Sequence, residues 1–238
     1  MLLNEATTVY NSRLVLRPYR RWHVPQYHAW MEDPKIRELT ASERLSAEEE
    51  EDMQRSWRLD QDKLTFIVHA RLPTAPCPTV DRDGFLQAHN DSSTMIGDVN
   101  LFLHTLDDDE DDQEEEQQSA SKTPRPARQA AELEIMLPPN ESSLYKPRSG
   151  LALSTLQLFL TYAKDQLGFE PSQFMAKVSY DNEPSLKLFE KLGFVERKRV
   201  EVFREIELGW TGASSWPWES ESGWQFATLE DPRDPERD

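Results

Sequence analysis

Cysteine is nearly absent. Cys77 stands alone in 238 residues, so no internal disulfide can form. It sits between Pro76 and Pro78, where a bystander thiol is expected rather than a nucleophile. No Cys/His pairs stand at ligand spacing, which argues against a zinc site and leaves no metal expected. No apolar run approaches the length a bilayer-spanning helix needs, so no membrane partner is expected. Met1 to Asn11 lacks the charged-then-apolar layout of a signal peptide, and the expected location is cytoplasmic, with the nucleus open. Basic residues are also few: 27 Lys and Arg face 44 Asp and Glu, for a net charge of −17. That balance offers no electrostatic footprint for nucleic acid. No G-x-G-x-x-G occurs, which argues against a dinucleotide, and no Lys-Ser/Thr pair follows Gly150, which argues against a nucleoside triphosphatase.

What charge there is lies unevenly. Asp107 to Glu116 holds nine acidic residues and no basic one. Beyond Trp210 there are seven acidic residues and two arginines. Without these two segments the balance is only −3, so the charge belongs to appendages rather than to the folded part. Hydrophobic residues make up 37%, low for a chain of this length, and some segments are expected to stay unfolded. One domain over residues 1–210 is expected, with disordered insertions at about 71–94 and 104–130 and an irregular acidic tail over 211–238. Such polar segments bury too little apolar surface to offset their ordering entropy. The acidic run reads as a solvated spacer; recruitment of a basic partner is the sharper alternative.

Periodicity places the elements. Ser12 to Tyr19 alternates as a half-buried strand closed by Pro18. His23 to Met31 has helical spacing, with Asp33-Pro34 as its stop. Ser46 with Glu49 forms a capping-box pattern for a helix running to about Leu59. Leu64–Ala70 and Met95–Leu103 read as strands, the second with Gly97 at a bulge. Glu132–Leu137 alternates, with Leu133, Ile135 and Leu137 on one face and Glu132, Glu134 and Met136 on the other. Gly150–Leu167 is the strongest helix, ended by Gly168. Phe174–Val178 is a short strand, Asn182–Leu192 a capped helix with Pro184 early and Gly193 after it, and Phe194–Leu208 one or two final strands. The fold class is α/β in the α+β sense: a mixed, mostly antiparallel sheet with helices on both faces and parallel pairing where a helix intervenes.

The chemistry gathers where strand Glu132–Leu137 leads through a turn into the long helix. Arg148-Ser149-Gly150-Leu151-Ala152-Leu153 puts a glycine at a helix N-terminus, where unpartnered N–H groups and the helix dipole favour an anion. Lys146 and Arg148 add positive charge, and the small Gly150 and Ala152 leave room for a phosphate near the backbone. Taken alone, a glycine there is as well explained by a plain turn. The second stretch is Asn182-Glu183-Pro184-Ser185-Leu186-Lys187-Leu188-Phe189-Glu190-Lys191-Leu192-Gly193-Phe194, which alone is an ordinary capped amphipathic helix.

Together, a Gly-x-Ala helix start followed some thirty residues later by Asn then Ser on a short helix ending in Leu-Gly-Phe resembles the GNAT acetyltransferases. The resemblance is strongest to the subgroup related to ribosomal-protein N-acetyltransferases. Val24-Pro25-Gln26-Tyr27-His28-Ala29-Trp30-Met31, Leu39-Thr40-Ala41-Ser42-Glu43, Met53-Gln54-Arg55-Ser56-Trp57, Asp62-Lys63-Leu64-Thr65-Phe66-Ile67-Val68 and Ile96-Gly97-Asp98-Val99-Asn100-Leu101-Phe102-Leu103 resemble N-acetyltransferase 9-like proteins. The match covers roughly Leu3 to Leu208 apart from the two loops.

That resemblance implies an acetyl-CoA-dependent N-acetyltransferase acting on a protein or peptide amine. Acetyl-CoA would lie where two parallel strands splay, Glu132–Leu137 and Phe174–Val178. Pantetheine would pair with the exposed strand edge at Met136 and Leu137, and the pyrophosphate would rest on Arg148, Ser149, Gly150, Leu151, Ala152 and Leu153. Asn182 and Ser185 would help hold the cofactor, and a backbone N–H near Met136 would polarise the thioester carbonyl. Glu132 matches the family's usual base position, with Glu134 beside it as the other candidate; a solvent-facing strand edge explains both glutamates equally well. Two positions depart from the pattern. Pro147 replaces an expected Arg or Gln, and Phe189 replaces a tyrosine acid, so either Tyr180, another group or solvent serves as the acid, or the thiolate leaves unassisted. The alternative is a catalytically weak or inactive protein of the same fold that binds CoA or a partner.

Overall fold

The structure, a computed structural model, describes residues 2–106, 128–139, 149–212, 214–220 and 226–231. Among the described residues nine strands form one sheet: β1 (Thr7–Tyr10), β2 (Leu14–Pro18), β3 (Lys63–Ala70), β4 (Met95–Leu106), β5 (Arg128–Met136), β6 (Phe174–Ser179), β7 (Phe194–Val200), β8 (Glu205–Trp210) and β9 (Ala227–Glu230). Their spatial order is β7-β8-β6-β5-β4-β3-β2-β1-β9. All neighbours run antiparallel except β5 and β6, which are joined by a helix and run parallel. The expected mixed, mostly antiparallel sheet is what forms.

Six α-helices cover it: α1 (Val24–Met31), α2 (Pro34–Leu39), α3 (Ala47–Leu59), α4 (Arg82–Ala88), α5 (Leu151–Leu167) and α6 (Glu183–Leu192). Strand alternation sorts the packing. Leu14, Leu16, Phe66, Val99, Leu101, Leu133, Phe174 and Ala176 face one way, into a core closed by α5 and α6. Phe66 meets Phe159 and Tyr162 of α5 edge-on, with ring centroids 6.0 and 5.5 Å apart. On the other face Ile67 and Met136 meet Tyr27, Trp30 and Met31 of α1, while Tyr10 and Val15 meet Phe85 and Leu86 of α4. Among the described residues no helix is long and apolar enough to cross a membrane.

Three expectations need correction. Residues 71–94 are not a disordered insertion: Asp81 caps α4, its Oδ1 accepting from Gly84 N at 2.9 Å, and Phe85 is fully buried. Two adjacent apolar residues in a polar stretch give no period, so the helix had no signature. The segment after residue 210 is not an irregular tail. Trp216 and Trp218 stack at 5.0 Å with an interplanar angle of 7° and are buried against Trp210 and Phe174. Further on, β9 pairs with β1, and buried Asp231 pairs with Arg17 at 2.9 Å. An average charge concealed the few aromatic residues that fill the core. The 104–130 insertion is narrower than expected, because His104–Leu106 and Arg128–Ala130 extend β4 and β5 as partners; the acidic run lies outside the described residues. Asp33-Pro34 ends α1 as expected, but it also begins α2: Asp33 Oδ1 accepts from Lys35 N at 2.8 Å and Pro34 occupies the first turn.

Candidate active site

β5 and β6 are paired only at Ala131 with Phe174 and Glu132 with Met175. Beyond Glu132 they part, and β6 continues on β8 while β5 continues on β4. One backbone edge of Leu133–Met136 is therefore left without a strand, an edge that an extended ligand could join. On its other edge β5 is paired with β4, which approaches it most closely at Gly97, beside the bulge at Val68/His69. A Cβ on Gly97 would stand 2.0 Å from the Met136 carbonyl oxygen, so only glycine permits this approach.

A cleft of about 520 Å³ opens on the α5/α6 side of the splay. Ile135 and Leu137 from β5, Ser149 to Leu153 from the turn, and Ser185 from α6 line it. Gly150 is the N-cap of α5 with φ +79°, and no side chain caps this helix. Side chains cap α2, α3, α4 and α6 instead. The first-turn N–H groups of α5 thus face the cleft as donors to an anion. A Cβ on Gly150 would meet nothing within 4 Å. Glycine supplies the left-handed backbone of this turn. Arg13 Nη2 holds the turn by donating to the Ser149 carbonyl at 2.9 Å.

The α6 wall adds residues that motif reasoning missed. Pro184, Lys187, Leu188 and Lys191 all line the cleft with Ser185. Their spacing of three and four was the available signal, since it puts Lys187, Leu188 and Lys191 on the helix face that begins at Pro184. Lys187 Nζ is 2.8 Å from Glu183 on the same helix. Asn182 caps α6, its Oδ1 accepting from Ser185 N at 3.2 Å. Phe189 is buried against Phe194, centroids 5.4 Å apart, so it serves the core. Lys146, Pro147 and Arg148 lie outside the described residues.

The two glutamates point to the opposite face, each in a different environment. Glu132 is half tied: Lys177 Nζ lies 2.8 Å and His104 Nε2 3.0 Å from its Oε2. Glu134 is reached by solvent, yet the surrounding protein and the neighbouring Glu132 charge push its carboxyl up to about 7, against the pull of Lys177. Beside it on β4, Asn100 is the cross-strand partner of Glu134, and Asn100 Nδ2 donates to Asp98 Oδ2 at 2.6 Å. Asp98 is 1% exposed; burial raises its carboxyl to about 7, the Asn100 bond opposing and Glu134 adding to the rise. Asp98 was not among the expected site residues, because a single acid in an apolar strand gives no pattern until the register sets it beside Glu134. The Met136 side chain packs with the α1 group. Tyr180 is not among the cleft residues. Its ring lies beneath the guanidiniums of Arg199 and Arg204 at 5.7 and 5.8 Å, and burial pushes its hydroxyl up.

The site has recognisable relatives. The acetyltransferase (GNAT) domain family matches residues 13–195. An alpha/beta-tubulin-N-acetyltransferase 9 of Drosophila melanogaster is 39% identical over 208 residues, covering 87% of this chain and 88% of the relative. An N-acetyltransferase 9-like protein of Nematostella vectensis is 35% identical over 209 residues, covering 87% of each. In fold, the chain is similar to a spermidine N-acetyltransferase from Vibrio cholerae solved in complex with CoA and spermine. The TM-score is 0.56 at 19% identity, covering 83% of this chain and 94% of that one.

Proposed function

The chain belongs to the GNAT acetyltransferase family and is an N-acetyltransferase; from that premise we propose that it moves acetyl from acetyl-CoA to an amine of a protein or peptide, by direct attack in a ternary complex. The observation that carries this is the splay of β5 from β6 over a cleft floored by the uncapped N-terminus of α5. Relatives named for acting on alpha- and beta-tubulin support a protein acceptor, and a neighbour of this fold solved with CoA supports the cofactor.

The residues fit acetyl-CoA in three places. The open edge of β5 at Met136 and Leu137 matches the amides of pantetheine, as an added strand would. The N–H groups of Leu151, Ala152 and Leu153, without partners among the described residues, match a pyrophosphate. Lys187 and Lys191 supply positive charge on the opposite wall, which makes up for an uncharged Pro147. Bound there, acetyl-CoA presents a thioester carbonyl for attack.

This chain's residues then manage the proton. The acceptor arrives as an ammonium and must lose a proton before its nitrogen can form the C–N bond. Glu134 is the better base, because its raised affinity for a proton near neutrality suits the task and solvent can bridge it to the amine. Glu132 is engaged by Lys177 and His104 and serves by positioning. The Met136 backbone N–H steadies the developing oxyanion. The C–S bond breaks with the electron pair on sulfur, and a thiolate leaves without help from Phe189. Calorimetry with acetyl-CoA, followed by transfer of labelled acetyl to peptides, tests the proposal. Saturable binding and transfer that falls in Glu134→Gln support it; no binding at millimolar cofactor sinks it.

A further inference from the structure

A second pocket, of about 220 Å³, opens on the α1/α3 face, away from the cofactor cleft. Tyr27, Met31, Met53 and Trp57 wall it, Glu43 stands at its exposed side, and Glu50 is the most deeply buried residue lining it. Its size is below the roughly 300–1,000 Å³ of drug-sized sites, so it holds about one side chain.

Glu50 is unusual. It is 1% exposed, and its Oε2 has no hydrogen-bond partner among the described residues. A buried acceptor left without a donor is costly, and a carboxylate more so. Burial pushes its carboxyl up, and His28 is the basic group that opposes this. His28 itself stands 3.8 Å from Glu32 rather than on Glu50. Of the other titratable groups that line the pocket, Glu43 and Tyr27 bring no positive charge; the Lys63 ammonium lies on the Trp57 ring and is paired with Asp60 at 3.6 Å. The walls favour a cation as well: Trp57 already carries Lys63 Nζ 5.1 Å above its ring. Tyr27 stands between this pocket and the β4/β5 face: it lines the pocket and shares an apolar cluster with Met136, the cross-strand partner of Asp98, and burial, then the nearby carboxylates, push its hydroxyl up.

We propose that this pocket takes a lysine or arginine side chain of the acceptor, seated on Glu50, while the reacting amine lies across Tyr27 at Glu134. The proposal rests on the N-acetyltransferase reading above and adds a substrate class to it: acceptors with a cationic side chain close to the amine. A long aliphatic stem would run between Met31 and Met53, and its N–H groups would complete the unmatched carboxyl.

The test uses the full chain in two arms. In the binding arm, Nα-acetyl-arginine amide and its neutral near-isostere Nα-acetyl-citrulline amide are titrated by calorimetry; neither has an amine to acetylate. The arginine probe is expected to bind at least about tenfold more tightly, and Glu50→Gln should reduce that ratio to about twofold or less. Equal binding of the two probes, or no binding of either, overturns the proposal. Met53→Phe, which fills the pocket without touching the carboxyl, is expected to lose the arginine probe too, and guards against misfolding of the Glu50 variant. In the transfer arm, peptides with free N-termini carry arginine or citrulline at one of the first three positions. Citrulline is expected to raise KM about tenfold at one of them, an effect that disappears in Glu50→Gln. Transfer without that discrimination overturns this pocket and leaves the N-acetyltransferase reading standing. Discrimination in binding with no transfer to any amine does the reverse.

Discussion

The two faces of the central sheet are built on different terms. The α5/α6 face is a continuous apolar core in which Phe66, Phe159, Phe174 and Trp216 are buried. Both faces hold buried polar atoms unmatched among the described residues, but those of the first face, on Thr155, Trp216 and Tyr180, are neutral, whereas the α1–α4 face adds the carboxyls of Asp98 and Glu50 to Asn100, Thr65 and Tyr19. A face assembled only for stability would replace or pair such groups, since each costs about 1–3 kcal/mol when left unsatisfied. The first face holds the fold and floors the cofactor cleft. The second holds buried carboxyls without matching donors, which on the function proposed above would lie beside the acceptor.

Substitutions should separate the two faces. The largest effect is expected from Trp216→Ala, which removes the aromatic stack beneath Trp218 and beside Trp210. It should destabilise the chain by about 3–5 kcal/mol in urea unfolding. An effect under about 1 kcal/mol would mean that the C-terminal segment is not part of the core. Next comes Glu134→Gln, expected to lower kcat roughly a hundredfold, about 2.7 kcal/mol; because folding raises this carboxyl too, the variant should be no less stable than the wild type above pH 7. The pH–rate profile sharpens this: the wild type should gain activity as pH rises through about 7, where Glu134 releases its proton. That limb should vanish in the variant.

Asp98→Asn should act on stability in the direction opposite to Trp216→Ala. The Asp98 carboxyl rises from 3.8 to about 7 on folding, so the folded state holds a proton that the unfolded chain has released. Stability contributed by that protonation is present below about pH 4 and lost as pH climbs through 7. Asparagine removes the loss, and the variant should exceed the wild type by about 2–4 kcal/mol at pH 8 and match it at low pH. Equal pH slopes for the two proteins would refute the buried acid. The smallest effect is expected from Gly150→Ala. A Cβ meets no neighbour there, but the left-handed backbone costs an alanine about 1 kcal/mol. A few-fold rise in KM for acetyl-CoA would register it.

The elements readable in the sequence are those with a long period or a capping signature. α5 and α3 appear with nearly their true limits because seventeen and thirteen residues repeat one helical face, and Ser46 with Glu49 forms a capping box in both directions. The cofactor turn was readable for the same local reason: Gly150 and Gly168 both adopt the left-handed backbone that marks a helix boundary. β1, α4 and β9 are short, and each is stabilised by a partner far along the chain, so no local window carries them. The lysines of α6 showed only as ordinary surface charge until the cleft lay beside them.

Sequence alone was sufficient for the strand alternation, the helix caps, the order of elements around the cofactor turn, and the family resemblance. These depend on neighbours within a few residues, where backbone geometry and side-chain type decide the outcome. The tertiary structure alone decided which glutamate stands free and which is tied, because Lys177 and His104 reach Glu132 across two strand registers. It alone placed Asp98 beside Glu134, brought Glu50 to the inner end of a pocket, and folded Trp216 and Asp231 onto residues more than forty positions away. Burial and charge depend on what lies across space, and that is set only when the sheet has closed.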